Sequence, residues 1–294
     1  MTAVSLVSLN LSEQELKSDL ENKGFEFKPA EHAYWRAQKD GLTITLYKSG
    51  KILVQGKGAE EFFSPNRMDC FVEPKGSPRN DISKHNSWIG TDESGKGDYF
   101  GPLVVAGVLV DEKNMNQLIT LGVQDSKKIN DTTIHKLAPK IKEISTFAVV
   151  TINPAKYNEL YSKFKNLNNL LAWGHARAIE NILEKTPCEY ALSDKFGNES
   201  LIKNALLKNG RNIILEQRTK AEDDIAVAAA SVLARDEFLT RLKKFSTEYG
   251  INLPKGASAE VLKQAGVFVS KYGIEKLNNV AKIHFKCTQQ IKAL

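Results

Sequence analysis

The sequence has little cysteine, little histidine and no long apolar run. Its 294 residues include three cysteines, Cys70, Cys188 and Cys287, so neither a disulfide framework nor a thiolate metal site is expected. No apolar stretch approaches the ~20 residues that a membrane span needs, and the N-terminus lacks a basic segment followed by an apolar one. These absences predict a cytoplasmic protein that does not enter a membrane.

Positive charge is concentrated in the last third of the chain, although the net charge is only +6. Residues 1–85 carry twelve Lys and Arg against twelve Asp and Glu, and residues 86–200 carry thirteen against fourteen. Residues 201–294 carry sixteen against nine, which is +7. This distribution favours a polyanionic partner such as nucleic acid, with an ordinary solvated basic surface as the alternative.

A segment rich in proline, glycine and polar residues, EPKGSPRNDISKHNS, occupies residues 73–87 and has no apolar periodicity. Such composition is typical of a linker. The chain is longer than the usual ~100 to 200 residues of one domain. We therefore predict an N-terminal domain over 1–72 and a second domain over 88–294.

The N-terminal segment has the pattern of one helix followed by strands. Leu16 and Leu20 follow helical spacing, and 42–47 and 51–55 alternate apolar with polar residues around a Ser-Gly turn. The predicted hairpin has one apolar and one polar face. The polar face, which includes Thr43, Tyr47 and Lys51, either contacts a sugar-phosphate backbone or is an ordinary solvent face.

Beyond the linker, short apolar runs alternate with helical patterns. Strands are predicted at 88–92, 103–110, 147–152, 190–193 and 212–215, and helices at 168–184, 199–207 and 224–244. We expect short connections between the first three strands and a helix between the last two. This order predicts an α/β domain in which a mixed sheet is flanked by helices.

Acidic residues interrupt this apolar pattern at three places. Asp92 and Glu93 lie in GTDESGKGDYFGP, Asp194 ends a second apolar run, and Glu222 precedes an alanine-rich helix whose inward face it is expected to share. Acids at neighbouring strand ends are expected where a sheet carries an active site on one edge. For each acid of the triplet 222–224, helix capping is the alternative role.

Converging carboxylates need a positive counter-charge, because burying an unpaired ion costs several kcal/mol. Oxygen ligands without a cysteine or histidine cluster favour Mg²⁺ or Mn²⁺ over Zn²⁺. Two such ions ~3.5 to 4 Å apart could hold the attacking and leaving oxygens of a phosphodiester. Together with the basic surface, the acids predict phosphoryl-transfer chemistry on nucleic acid.

Several motifs together resemble the type 2 ribonucleases H. They occur in order between about residues 86 and 290 and read GTDESGKGDYFGPLVVAG, DSKK, LSDKFG, TKAE and AVAAASVLAR. The Gly-Lys-Gly triplet and the TKAE form are similar to ribonuclease HIII. The ribonuclease HII branch usually has Gly-Arg-Gly and an aspartate at the fourth acid.

The resemblance implies an endoribonuclease that hydrolyses the RNA strand of RNA/DNA hybrids with Mg²⁺ or Mn²⁺, leaving 5′-phosphate and 3′-hydroxyl ends. By position, the catalytic and metal-binding acids are Asp92, Glu93, Asp194 and Glu222. A ribonuclease HII-like enzyme that cuts at single embedded ribonucleotides and a hybrid-binding protein without activity are the alternatives.

The resemblance also implies substrate contacts and a small α+β domain like a TATA-binding protein repeat at the N-terminus. The backbone of Gly95, Lys96 and Gly97 would read ribose 2′-hydroxyls, and Lys127 and Lys128 would contact phosphates. The polar face with Thr43, Tyr47 and Lys51 would bind the hybrid. We expect a monomer. The resemblance assigns no role to Asp98, Asp223, Asp224, Asp236 or His284.

Overall fold

The computed structural model describes residues 3–9, 13–30, 32–48, 51–56, 71–72 and 86–292. The chain divides into two compact units, Met1–Ser77 and Pro78–Leu294. The predicted linker over 73–87 lies almost entirely outside the described residues, so its conformation stays a prediction. No helix within the described ranges is both long enough and apolar enough to cross a membrane.

The first unit contains one antiparallel sheet and a helix. Its elements are β1 (Ala3–Leu9), α1 (Glu13–Asn22), β2 (Glu26–Lys28), β3 (Ala33–Lys39), β4 (Leu42–Tyr47), β5 (Lys51–Gly56) and β6 (Phe71–Val72). The strand order is β2-β3-β4-β5-β1-β6. The predicted hairpin is confirmed, because β4 and β5 pair antiparallel with Ile44 opposite Val54.

The helix covers one face of this sheet. Leu16 and Leu20 of α1 join a buried cluster with Trp35, Ile44 and other inward side chains of β3 to β5. Residues at alternate positions point to the other face. That face includes Thr43 and Tyr47, as predicted from the alternation.

The second unit is built on a mixed five-stranded sheet. Its strands are β7 (Ser87–Ser94), β8 (Leu103–Asp111), β9 (Thr146–Ile152), β10 (Tyr190–Asp194) and β11 (Ile214–Arg218). The order is β11-β10-β7-β8-β9. Strands β7, β8 and β9 pair antiparallel, whereas β10 pairs parallel with both β7 and β11. Together with the flanking helices and the small first unit, this confirms the predicted fold class.

Helices pack on both faces of the sheet. They are α2 (Glu112–Thr120), α3 (Asp131–Ile144), α4 (Pro154–Phe164), α5 (Leu167–Leu183), α6 (Ser200–Ala205), α7 (Ile225–Tyr249), α8 (Ala259–Tyr272) and α9 (Lys286–Lys292). The alanine-rich start of α7 packs on β7 and β8. A Cβ added to Gly90 of β7 would lie 2.2 Å from the backbone of Ala226 and Val227, so glycine is needed for this close approach.

Two expectations about local structure were wrong. The connection between β8 and β9 is not short, since it contains α2 and α3. Asp111 ends β8 and also caps α2 through bonds to the Lys113 and Asn114 amides, so the chain passes directly from strand to helix. The last strand begins at Ile214 rather than at 212, because a tight turn with an Ile213 to Gly210 hydrogen bond precedes it.

Candidate active site

The strand β7 carries Asp92 and Glu93 on opposite faces at its end. Trp88, four residues before Asp92, donates its indole N–H to Asp224 at the start of α7. Thr91, two residues before Glu93, contacts His175 of α5 on the other face. Side chains alternate along an extended strand, so Asp92 belongs to the α7 face and Glu93 to the α5 face. Both nevertheless line one cavity where the strand ends.

Asp92 is a carboxylate in an unfavourable environment. Burial, the charge of Glu93 and that of Asp194 raise the pKa of Asp92 well above its usual value. The Glu93 amide, which donates to Oδ1 at 2.8 Å, and the charge of Lys127 offset part of this effect. The ionised form of Asp92 therefore has less compensation than its burial requires.

Glu93 has partners that Asp92 lacks. Burial alone would raise the pKa of Glu93, but hydrogen bonds and charge from His175 and Lys96 lower it to about 2. Nε2 of His175 lies 3.2 Å from Oε2, and Nζ of Lys96 lies 3.4 Å from Oε1. Glu93 is thus held as an anion with each oxygen facing a different partner.

Asp194 reaches the same cavity from the neighbouring strand. Ser193 pairs with Thr91 across β10 and β7, so Asp194 follows at the level of Asp92. The amide of Ala221 donates to Oδ1 of Asp194 at 3.3 Å. The parallel pairing of these two strands brings three of the four predicted acids to one sheet edge.

Glu222 lies near this group but not on a helix. It belongs to a 3₁₀ turn, Ala221–Asp223, and its negative charge, with those of Asp92 and Asp194, raises the pKa of Lys127. The expectation that Glu222 shares the inward face of the following helix was wrong, because that helix begins at Ile225. Glu222 does not line the cavity.

Asp224 is the acid that caps this helix. Its carboxylate accepts from the amides of Ala226 and Val227 and from the Trp88 indole, and it is fully buried. Burial raises its pKa to about 6, against the lowering effect of these hydrogen bonds. The capping alternative therefore describes Asp224, while Asp223 is half-buried in the 3₁₀ turn.

The Gly95-Lys96-Gly97 loop forms another wall of the cavity. Gly95 has φ +85°, and a Cβ there would lie 2.2 Å from the Pro102 carbonyl oxygen. Apart from Gly97 itself and the residues on either side of it, no atom lies within 4 Å of a Cβ built at this position. The backbone of Gly97 is therefore open to a ligand. Nζ of Lys96 also lies 5.9 Å from the Phe196 ring centroid.

The residues after this loop are fixed by the C-terminal part of the chain. Asp98, which the sequence left unexplained, accepts from the Gly256 amide at 2.6 Å. Fully buried Lys282 donates to the carbonyls of Asp98 at 2.8 Å and Gly101 at 2.7 Å. Burial lowers the pKa of Lys282 to about 7, and nearby Asp98 acts in the opposite direction.

Basic side chains surround the acids. Lys127, Arg235 and Lys255 line the cavity, and Arg235 and Lys255 both pair with Asp131 at 2.7 Å. Lys127 and Lys128 are both exposed and lie in the same 3₁₀ turn, but Lys128 does not line the cavity. This rim of positive charge is suited to phosphate groups.

Several residues near the site were not predicted from the sequence. His175, Lys255 and Lys282 owe their positions to contacts with distant segments. His175 and Lys255 are single polar residues without a local pattern, whereas Lys282 lies in AKIHFK, a stretch that also resembles the type 2 ribonucleases H. Arg235 lies within the motif region AVAAASVLARD, which is the one signal that could have found it.

Two residues without a predicted role make structural contacts. Asp236 pairs with His135 at 2.7 Å and Lys142 at 3.3 Å. His284 stacks on Tyr161 with ring centroids 4.0 Å apart. Neither residue lines the cavity.

The acids do not form a complete metal cage by themselves. Within the ranges that the structure describes, no three His, Cys, Asp or Glu side chains are grouped closely enough to hold a metal ion alone. Water or substrate oxygens would have to complete a coordination sphere here.

Thr43 and Tyr47, two of the predicted contacts in the first unit, lie on the sheet face opposite α1. Thr43 is half-buried and accepts from Gln38 at 3.3 Å, and Tyr47 is half-buried on the same strand. Lys51 begins β5, and its side chain lies outside the described part of the chain. Tyr34 on β3 is 51% exposed and adds an aromatic surface to this face.

Comparison with known proteins identifies the family. The family model Ribonuclease HII matches residues 89–288, and a model described as a domain of unknown function matches residues 2–64. Ribonuclease HIII of Protochlamydia amoebophila (strain UWE25) is 43% identical over 292 residues, covering 98% of this chain and 96% of that protein. Ribonuclease HIII of Chlamydia abortus is 43% identical over 283 residues, covering 94% and 93%.

A solved structure agrees with these relatives. The crystal structure of Bst-RNase HIII in complex with Mn2+ has a TM-score of 0.69 and 30% identity, and the match covers 99% of this chain and 98% of that chain. The carboxylate edge, the matched family model and relatives similar over nearly their whole length lead to one conclusion: the chain belongs to the ribonuclease HII family, is similar to its ribonuclease HIII members, and is a metal-dependent ribonuclease H hydrolase.

Proposed function

We propose that the chain cleaves the RNA strand of RNA/DNA hybrids internally, leaving 5′-phosphate and 3′-hydroxyl ends. One observation carries this proposal: Asp92, Glu93 and Asp194 line a single cavity together with the Gly95–Gly97 loop and a basic rim. A phosphodiester needs both positive charge for binding and carboxylates for its chemistry, and this edge supplies both.

The acids fit a hard divalent ion, which we propose to be Mg²⁺ or Mn²⁺. All side-chain donors among the predicted ligands are carboxylate oxygens, and Asp92 is half-buried with Lys127 as the cation that lowers its pKa. Asp92, Glu93, Asp194 and Glu222 would hold two ions between them. When bound, such ions supply Lewis-acid activation of the phosphodiester and of water.

The protein's own groups bind and orient the substrate. Burial lowers the pKa of Lys127, but the charges of four acids raise it above its usual value, so Lys127 stays protonated and can attract a phosphate; these acids are Asp92, Asp125, Glu222 and Asp194. The open backbone at Gly97 can approach a ribose, where the 2′-hydroxyl distinguishes RNA from DNA. Exposed Lys128 would contact a phosphate farther along the backbone.

We further propose that the first unit adds affinity for the hybrid through the face with Thr43, Tyr47 and Lys51. Aromatic, hydroxyl and basic groups on an open sheet suit a sugar-phosphate backbone. In this proposal, residues 88–294 cleave the hybrid and residues 1–72 provide additional binding. A monomeric, cytoplasmic enzyme remains our prediction.

Cleavage of labelled nucleic acids tests this function. The full chain should cut the RNA strand of a hybrid with Mg²⁺ or Mn²⁺, lose activity with a chelator, and leave single-stranded DNA and duplex DNA intact. End-labelling should detect 5′-phosphates on the products. A duplex with one embedded ribonucleotide separates this function from ribonuclease HII-like incision, and binding of the hybrid without any cleavage would overturn the proposal.

A further inference from the structure

His175 is a buried polar residue that makes direct contact with a predicted catalytic acid. It lies on α5, is 0% exposed, and directs Nε2 at Oε2 of Glu93 over 3.2 Å. An ionised carboxylate can only accept a hydrogen bond, so Nε2 must be the donor. The second nitrogen is therefore available to fix the orientation of the ring.

The ring is held from three other sides. Nδ1 lies 2.9 Å from the Thr91 hydroxyl and 3.4 Å from the Ser193 hydroxyl. These residues immediately precede Asp92 on β7 and Asp194 on β10. The ring also stacks on Phe196, with centroids 4.9 Å apart. His175 therefore bridges the two strands that carry the acids.

The same contacts reach the Gly-Lys-Gly loop. Lys96 pairs with Oε1, the other carboxylate oxygen of Glu93. Its ammonium group also lies over the ring of Phe196, on which His175 stacks. With Oε2 occupied by His175, the carboxylate cannot rotate freely about its last torsion. Oε1 is the oxygen that pairs with Lys96, and both residues line the cavity in which a ligand would bind.

We propose that His175 is a positioning residue that holds Oε2 of the Glu93 carboxylate, so that Oε1, which pairs with Lys96 in this structure, is directed to the divalent ion. This inference rests on the proposed function. Residues that orient a metal ligand through a hydrogen bond typically change metal affinity by about 10- to 100-fold when they are replaced. A histidine kept only for packing would not have this effect.

The test compares full-length variants for ion binding and for cleavage. His175→Leu and His175→Phe remove both nitrogens, and the phenyl ring keeps the stack on Phe196. His175→Gln restores one N–H donor near the Nε2 position. The matched control is Glu180→Gln, a buried polar residue of the same helix whose carboxylate bonds to the amides of Leu207, Asn209 and Gly210.

We expect the apolar variants to bind Mn²⁺ about 10- to 100-fold more weakly in calorimetry of the free enzyme. The Mg²⁺ concentration that gives half-maximal hybrid cleavage should rise by the same factor. The KM for the hybrid at saturating Mg²⁺ should stay within about twofold of the wild-type value. His175→Gln should recover most of the affinity. Glu180→Gln should lose stability without a change in the Mg²⁺ requirement.

Unchanged Mn²⁺ affinity in the apolar variants would overturn the role of His175, as would an equal shift in Glu180→Gln. If the apolar variants do not fold, Thr91→Val combined with Ser193→Ala removes both hydroxyl contacts to Nδ1 with little change in volume. It should raise the Mg²⁺ requirement by ~3-fold or more, and no change contradicts the proposal. Failure of the wild-type chain to cleave the hybrid would instead reject the proposed function.

Discussion

Asp92 and Glu93 are neighbours in the sequence, yet their surroundings differ in charge. Glu93 has His175 and Lys96 within hydrogen-bonding or ion-pairing distance, and its pKa is lowered to about 2. Asp92 faces the charges of Glu93 and Asp194 with partial compensation from Lys127, and its pKa is raised. Asp92 is therefore the acid that gains most from a bound cation.

The acids of the triplet 222–224 also have different surroundings, so their substitutions should have different effects. Glu222→Gln should reduce hybrid cleavage by at least ~100-fold, because its charge acts at the cluster of Asp92, Asp194 and Lys127. Asp224→Asn should retain most activity, since asparagine also caps helices well. Single-turnover cleavage at saturating enzyme measures both. Loss of activity in Asp224→Asn, at unchanged stability, contradicts this assignment.

Asp224 also predicts a pH dependence of stability. Its pKa is about 6 in the folded protein, above the unfolded value of 3.8, so the folded state binds more protons between these values. Its contribution to stability therefore falls as pH rises from 4 to 6. Relative to Asp224→Asn, the wild type should lose ~1 to 3 kcal/mol between pH 4 and pH 7. Urea unfolding of both proteins at each pH measures the difference, and a pH-independent difference rejects it.

Single residues were predictable where the local pattern was unusual. Carboxylates ending apolar runs pointed to Asp92, Glu93 and Asp194, and the structure brings these three to one cavity. The sequence could not separate the acids of 222–224, because their distinction depends on where the helix begins. His175 carried no local signal, since its partners on β7 are up to 84 residues away in the chain.

At the scale of elements, the Gly-Lys-Gly loop owes its position to distant segments. Gly256 bonds to the Asp98 side chain, and Lys282 bonds to two carbonyls that follow the loop. The Gly101 amide also donates to the Val280 carbonyl at 2.9 Å. The loop is therefore held between the end of β7 and the segment before α9.

Removal of the Lys282 ammonium should loosen this loop. Lys282→Met leaves the carbonyls of Asp98 and Gly101 without their hydrogen-bond donor. This should lower the free energy of unfolding by ~1 to 3 kcal/mol. The KM for the hybrid should rise more than kcat falls, because the loop is proposed to bind ribose. Lys286→Met, an exposed neighbour, is the control for charge. Equal stability and KM in both variants would show that Lys282 does not hold the loop.

Elements with strict periodicity were predicted well. The hairpin of β4 and β5 and the strands β7 to β10 agree with the structure to within about two residues. Helices α2 and α3 were missed because the connection after β8 was read as short, although the Asp111 to Asn114 capping box marks its start. Periodicity in the sequence predicts the positions of strands better than it predicts which helices lie in the connections between them.

At the scale of the whole molecule, two compact units separate the predicted tasks. The family match extends over residues 89–288, within the second unit, and a different family model matches residues 2–64. The motif resemblance supplied the roles of the acids, and the order of strand and helix patterns supplied the α/β fold class of the second unit. The contribution of the first unit was predicted from order and size, so it needs an experimental test.

Substitution of the open sheet face tests the first unit within the full chain. The triple variant Thr43→Ala, Tyr47→Ala and Lys51→Ala should bind a hybrid about 10-fold more weakly without divalent ion, with a smaller salt dependence. Its kcat should remain near that of the wild type. Lys17→Ala on α1 with Lys23→Ala in the turn that follows it is the control for charge on the helix side. A loss of kcat with unchanged affinity would contradict a binding role.

The most direct measurement of the central claim is hybrid cleavage by Asp92→Asn with Mg²⁺. The control is Asp111→Asn, the same chemical change at the opposite end of the β7–β8 hairpin, where asparagine can still cap α2. Asp92→Asn should bind the hybrid and unfold at or above the wild-type temperature, yet cleave the RNA strand at least ~100-fold more slowly. Full activity in Asp92→Asn would contradict a carboxylate-centred active site at this edge of the sheet.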